Sequence, residues 1–260
     1  MRRALLFDLD ETLMVEEPAA VASFKATAEV AAARHDLDSE VLATGARSRA
    51  RELWYAAPTH DYCMRIGISS WEGLWCRFEG DESDVRALRE WSPTYRREAW
   101  SLALADQGID DEPLAEHLAE TFAAERRMRH EVFADVESTL GQLRESYAMA
   151  LVTNGAACLQ REKLAASNLG GYFDAVIVSA DVGAAKPDSS VFQQALSALG
   201  VDGEQAVMIG DSITKDMDGA LAAGLGAIWL DRNEQSVPAE RPDLARIGSL
   251  RSLSGVLSRL

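Results

Sequence analysis

The sequence predicts an α/β protein, a doubly wound parallel sheet into which a block of helices is inserted. Three observations carry that prediction. From Asp135 onward short apolar runs alternate with helical stretches, and strands joined through helices close right-handed crossovers into a parallel sheet. The run from Ala4 to Phe7 reads as one more buried strand. Between them, from about Pro18 to His130, alanine- and arginine-rich sequence of helical periodicity contains no convincing strand.

Bulk composition narrows the function. The chain has 260 residues, 47% hydrophobic and 26% charged, as in an ordinary globular protein with one large core or a core plus a smaller unit. A net charge of −16 argues against nucleic-acid polymers, whose binding neutralises phosphates with Lys and Arg, but leaves small anionic substrates open. No apolar run approaches about 20 residues, so no membrane span is expected. The basic start Met1-Arg2-Arg3 runs into Asp8 too soon for a secretion signal. Cys63, Cys76 and Cys158 are odd in number and lack metal spacing, which fits free thiols in a reducing interior and a cytoplasmic location. Both a monomer and a homodimer fit the composition.

The first strand runs straight into Asp8-Leu9-Asp10-Glu11. Carboxylates at the end of a buried strand are costly and repel one another unless a cation joins them, and an all-oxygen donor set suits magnesium. In the helical block Phe24, Ala28 and Ala31 share a face, and Leu37 to Trp54 forms a second amphipathic stretch. Pro58 to Gly73 reads as a less regular loop. Ser92-Pro93 reads as an N-cap and first helical residue, with Gly108 closing that helix, and Asp110 or Asp111 with Pro113 opens another towards Arg129.

In the second half, Asp135 is expected to cap a helix running through Glu145, followed by a strand from Ala148 to Val152 that ends at Thr153-Asn154-Gly155. A helix to about Ser167 stops at Asn168, Ala175 to Val178 is a third strand, and Val191 to Leu199 is helical up to Gly200. Ala206 to Ile209 enters Gly210-Asp211-Ser212, a helix covers Met217 to Ala223, and Ala227 to Leu230 is a fifth strand. Ligands of such sheets bind beyond the carboxyl ends of the strands. Asp8, Asp10, Thr153, Asn154 and Asp211 all follow strand ends, so they are expected to converge on one sheet edge.

With these residues in place the chain resembles the haloacid dehalogenase superfamily, in its phosphatase branch. The resemblance rests on Asp8-Leu9-Asp10-Glu11-Thr12-Leu13, Thr153-Asn154-Gly155, Lys186-Pro187, and Gly210-Asp211-Ser212 with Asp216, in that order. It covers about residues 4–14 and 132–232, and the helical block looks like the cap that one subgroup inserts after its first motif. The implied division is a core of 1–14 and 131–260, with a cap of 15–130.

The resemblance implies roles residue by residue. Asp8 would be the nucleophile that takes the phosphoryl group, and Asp10 the acid and base that protonates the leaving alcohol and then activates water. Dehalogenases of the superfamily lack an acid at that position, so Asp10 favours phosphate esters. Asp8, the carbonyl of Asp10 and Asp211 would hold magnesium. Thr153, Asn154 and Lys186 would bind the phosphoryl oxygens, and Asp216 would orient Lys186 or a water on the metal. Many relatives carry Asn just before that last aspartate, where this chain has Lys215.

Specificity is expected in residues 15–130. Five of the six tryptophans lie there, at Trp54, Trp71, Trp75, Trp91 and Trp100, where packing of a small bundle competes with a stacking wall for substrate. His60, Tyr62 and Arg65 mark the candidate specificity loop, and Arg96, Arg97, Arg126, Arg127 and Arg129 offer cations either to a second anionic group or to neighbouring acids. The reading is a magnesium-dependent phosphatase of a small phosphorylated metabolite: a sugar phosphate, a nucleoside monophosphate or a phosphorylated acid. A phosphoryl-transferring mutase of the same superfamily and a catalytically idle binding protein are the alternatives.

Overall fold

Strand β1 (Ala4–Phe7) lies inside a six-stranded sheet whose members all run parallel. The computed structural model describes residues 4–233, 241 and 244–259. The basic residues 1–3, read above as no secretion signal, lie outside them. The other strands are β2 (Ala148–Thr153), β3 (Ala175–Val178), β4 (Ala206–Gly210), β5 (Gly226–Leu230) and β6 (Ala245–Ile247), in the order β3-β2-β1-β4-β5-β6. The chain builds outwards from β1 to one side, then returns to build the other. The reversal falls between β1 and β4, where sheets of this kind leave a crevice beyond the strand ends.

Residues 1–15 with 131–260 form one compact unit and Glu16–His130 a second. The division falls one residue after the expected boundary, because the Val15 amide bonds to the Glu131 carbonyl at 2.9 Å and stays with the sheet. The second unit is entirely helical: α1 (Glu17–Ala32), α2 (Ser39–Trp54), α3 (His60–Ile66), α4 (Ser70–Gly73), α5 (Ser83–Ala105) and α6 (Glu112–Arg127). Each of α1, α2, α5 and α6 packs on two of the others, which makes a four-helix bundle. Its core is aromatic. Phe24 meets Phe122 at 4.4 Å and Trp100 at 6.0 Å, and Trp91 stacks on Tyr95 at 4.6 Å. Trp54, Trp75 and Trp100 are buried, so packing accounts for them.

Two expectations for this unit are corrected. Ser92-Pro93 starts no helix; both lie inside α5. Proline removes the N–H that would reach the Arg89 carbonyl, and the Ser92 hydroxyl donates to that carbonyl instead, at 3.4 Å. Burial of Ser92, Tyr95, Ala99 and Trp100 keeps the helix continuous. The segment from Pro58 to Gly73 is no irregular loop but contains α3 and α4. Gly67 ends α3 in a left-handed conformation, and Ser69 with Glu72 forms a capping box that starts α4.

Around the sheet lie α7 (Val136–Leu143), α8 (Ala157–Ala166), α9 (Ser179–Val182), α10 (Ser189–Leu199), α11 (Gly219–Ala222) and α12 (Leu253–Leu257). Alternate residues of the strands serve opposite faces. Leu5, Phe7, Met149 and Leu151 pack with Leu140 of α7, Leu164 of α8 and Leu253 of α12. Leu6, Ala150 and Val152 pack with Phe192 of α10 and Ala220 of α11. Both faces are covered, so the sheet is doubly wound. Asp135 precedes α7 but does not cap it with its side chain; the carboxylate accepts hydrogen bonds from Arg232, Ser249 and the Leu250 amide. Among the described residues no helix is long and apolar enough to cross a membrane.

Candidate active site

Register builds the site. Phe7 pairs with Ile209 on one side and with Leu151 on the other, so Asp8 emerges beside Gly210 and Asp211 and opposite Val152. The Asp8 amide continues the ladder to the Ile209 carbonyl at 3.0 Å. Beyond it the chain turns sharply. Leu13 and Met14 donate to the Leu9 carbonyl, and Glu11 adopts a left-handed φ of 60°. Thr12, at the end of that turn, sends its hydroxyl to Asp211 Oδ1 at 3.4 Å, and Trp229 Nε1 donates to the Asp211 carbonyl at 2.8 Å.

Lys186 sits at the centre. Its ammonium lies 2.6 Å from Asp8 Oδ1 and 2.6 Å from Asp216 Oδ1, and donates to the Val152 carbonyl at 2.8 Å. All three charged residues are buried. Burial alone would drive the Lys186 ammonium down, but the Asp216 and Asp8 charges outweigh it and hold the group well above the ordinary lysine range. Asp216 also accepts from the Ser212 amide through Oδ2, at 3.0 Å. Gly210 makes this possible: a Cβ there would lie 2.4 Å from Asp216 Oδ2.

Asn154 uses its side chain on the lysine's main chain. Its amide donates to the Lys186 carbonyl at 3.1 Å, and its carbonyl accepts from the Lys186 amide at 2.8 Å. One amide hydrogen remains for another acceptor. The Thr153 hydroxyl donates to the main-chain carbonyl of Asn154 at 3.4 Å. The structure therefore brings Asp8, Lys186, Asp211 and Asp216 together directly, and sets Thr153 and Asn154 beside them through the lysine loop.

Asp8, Asp211 and Asp216 each offer a carboxylate oxygen, and these oxygens lie within 4.8 Å of one another. Three carboxylates face one ammonium. Burial, followed by the Asp8 and Asp216 charges, pushes Asp211 up to about 8, and burial likewise raises Asp216 to about 6 against the pull of Lys186. A surplus of buried negative charge on oxygen donors fits a hard divalent cation.

Asp10 stands apart from that group. Both of its oxygens lie 3.1 Å from the Lys163 ammonium, and Gln160 Nε2 reaches Oδ2 at 3.3 Å. Neither partner was singled out in the sequence, although a signal exists. Leu159, Gln160, Lys163 and Leu164 form the buried face of α8, so a lysine occupies a core-facing position at helical spacing.

A family model of haloacid dehalogenase-like hydrolases matches residues 2–224. The chain belongs to that family. It is 37% identical to the phosphoserine phosphatase of Thermus thermophilus over 253 residues, 96% of this chain and 97% of that protein. It is also 33% identical to N-acylneuraminate-9-phosphatase of Rattus norvegicus, over 53% of this chain and 57% of that protein. Among solved structures, a 2-haloacid dehalogenase from Pseudomonas syringae superposes with a TM-score of 0.61 at 27% identity, covering 100% of this chain and 99% of that one. Within the family the chain is a phosphatase, as the motifs led one to expect.

Proposed function

We propose that this phosphatase hydrolyses a phosphate monoester of a small metabolite through a phosphoryl group carried on Asp8, with magnesium as its cofactor. The observation that supports this best is the cluster of buried Asp8, Lys186 and Asp216 with the half-buried Asp211, and Asp10 two residues from the nucleophile. An Asp8 carboxylate oxygen attacks phosphorus and the ester P–O bond breaks. Asp10 gives its proton to the departing alcohol oxygen. Water then attacks the phosphorus of the acyl phosphate while Asp10 takes its proton back. Inorganic phosphate leaves and the Asp8 carboxylate is restored. Lys186 keeps its proton throughout and offsets charge as the anionic nucleophile meets an anionic phosphate.

Magnesium would be held by Asp8, Asp211 and the carbonyl of Asp10, and when bound it supplies positive charge to the transferring phosphoryl group. Asp216, held by the Ser212 amide and 2.6 Å from the Lys186 ammonium, acts by fixing Lys186. The helical unit serves as the cap that selects the substrate, with α3 carrying His60, Tyr62 and Arg65 as candidates. The full-length likeness to a phosphoserine phosphatase makes phosphorylated hydroxy acids and amino acids the first class to test, ahead of sugar phosphates and nucleoside monophosphates. The three free cysteines agree with action in the cytoplasm.

The test is phosphate release from a panel of these esters with and without magnesium, beside Asp8→Asn. Release from a narrow subset that needs magnesium and falls at least ~10⁴-fold in Asp8→Asn is expected. Full activity in Asp8→Asn would end this reading, and phosphate kept on an isomerised product would point to a mutase.

A further inference from the structure

We infer that Lys163, assisted by Gln160, is the positioning residue for the proton transfers of Asp10. This rests on the reading of Asp10 as acid and base. Lys163 is fully buried, and a buried ammonium costs several kcal/mol unless it is paired. A Leu or Met on the same face of α8 would pack without that cost. The lysine instead places its charge 3.1 Å from each oxygen of Asp10.

Gln160, one turn earlier, lies on the same side of the helix and reaches the same carboxylate, while also donating to the Asn154 carbonyl at 2.9 Å. It passes through space left open by Gly155, where a Cβ would lie 2.5 Å from its amide nitrogen. Asp10 is thus tied at once to α8 and, through Gln160, to the loop that follows β2. The partners leave it distinct from Asp8 and Asp216, which share Lys186. A carboxyl group that must protonate an alcohol and later accept a proton from water, both at one place, needs its orientation held between the two steps. Lys163 and Gln160 hold the Asp10 carboxylate in one orientation. An error of about 1 Å in such placement costs on the order of 10²-fold in rate.

The experiment compares two esters in four proteins: the original, Lys163→Met, Asp10→Asn and the double variant. One ester is p-nitrophenyl phosphate, whose leaving group departs without a proton; the other is the alkyl phosphate hydrolysed fastest in the panel above. The readout is kcat/KM, which reports steps through loss of the alcohol. Lys163→Met is expected to lower it ~10²-fold for the alkyl ester and about tenfold less for the aryl ester. In Asp10→Asn the same substitution should add less than about threefold, because both act through one group. If Lys163→Met does not fold, as judged by circular dichroism, Gln160→Met is put through the same cycle. Equal losses on both esters that multiply in the double variant would make the lysine a packing residue and overturn the inference. An Asp10→Asn variant with undiminished alkyl-ester hydrolysis would remove the role of Asp10 itself, and the inference with it.

Discussion

In the helical unit, Arg126 and Glu16 are buried together, joined at 3.1 and 2.9 Å, with the guanidinium 4.8 Å over the ring of Trp75. In the α/β unit, Asp8 and Asp216 are buried around Lys186, and Asp211 lies beside them. The first arrangement balances one charge against one. The second sets three carboxylates against one ammonium, a surplus that further positive charge would offset. A neutral buried pair contributes little net stability and can be exchanged for apolar groups. An unbalanced cluster cannot be exchanged without losing what it attracts. The contrast sets a balanced buried pair against a cluster with a surplus of carboxylates.

The sharpest way to break the comparison is at the balanced pair. Glu16→Met should destabilise the protein by about 3–5 kcal/mol, because it leaves Arg126 buried and uncompensated, whereas Glu16→Met with Arg126→Met should return most of that loss. Urea unfolding midpoints decide it. A double variant as unstable as the single one would show that the pair does more than balance charge.

A smaller effect, on rate, is expected at the unbalanced cluster. Gly210→Ala puts a methyl group where the Asp216 carboxylate lies, displaces the partner of Lys186, and should lower phosphate release ~10²-fold. Steady-state assays measure this, and a variant with unchanged kcat would show that Asp216 has room to spare.

The smallest effect concerns another buried carboxylate, Asp135. Burial would push Asp135 up, but hydrogen bonds from Arg232 and Ser249, the Arg232 charge and the Leu250 amide outweigh it and hold the group below the ordinary range. Its folded pKa thus lies below its unfolded one. The stability it contributes is present above the unfolded value of about 4 and is lost as pH falls through the folded value. Asp135→Asn should therefore lower the unfolding midpoint at neutral pH, with the gap to the original protein narrowing below about pH 4. A gap independent of pH would mean that the carboxylate charge is not what stabilises.

The sequence made the Asp8 region legible because its signal is local: an apolar strand that ends in acid can be read without knowing its neighbours. Asp8 and Asp211 both follow that rule, and parallel register does the rest. Lys163 was missed because, among Arg161 and Glu162, it looks like any charged residue of an exposed helix; only the geometry of Leu159 and Leu164 marks its side of α8 as buried. Strand β6 escaped for another reason. Ala245–Ile247 is three residues long and includes Arg246, too short for alternation to register. The start of α4 was legible in Ser69-Ser70-Trp71-Glu72, a capping-box pattern that the aromatic and glycine content of the segment obscured. Pro93 misled because a missing donor is best tolerated at the first position of a helix, and no local pattern announces that a serine hydroxyl will take over the stranded carbonyl.

The point at which the helical unit leaves the sheet has a consequence for how such proteins are assembled. Val15 bonds to Glu131, Phe133 donates to the Leu13 carbonyl at 3.1 Å, and Met14 bridges Val132 in antiparallel fashion. The outgoing and incoming chains are thus zipped together before the insertion begins. From the side of the sheet, everything from Glu16 to His130 is a hairpin turn of unusual size, and lengthening a loop whose ends are already joined adds little closure entropy. A helical module attached in this way can be exchanged, enlarged or trimmed by recombination without asking the α/β framework to refold.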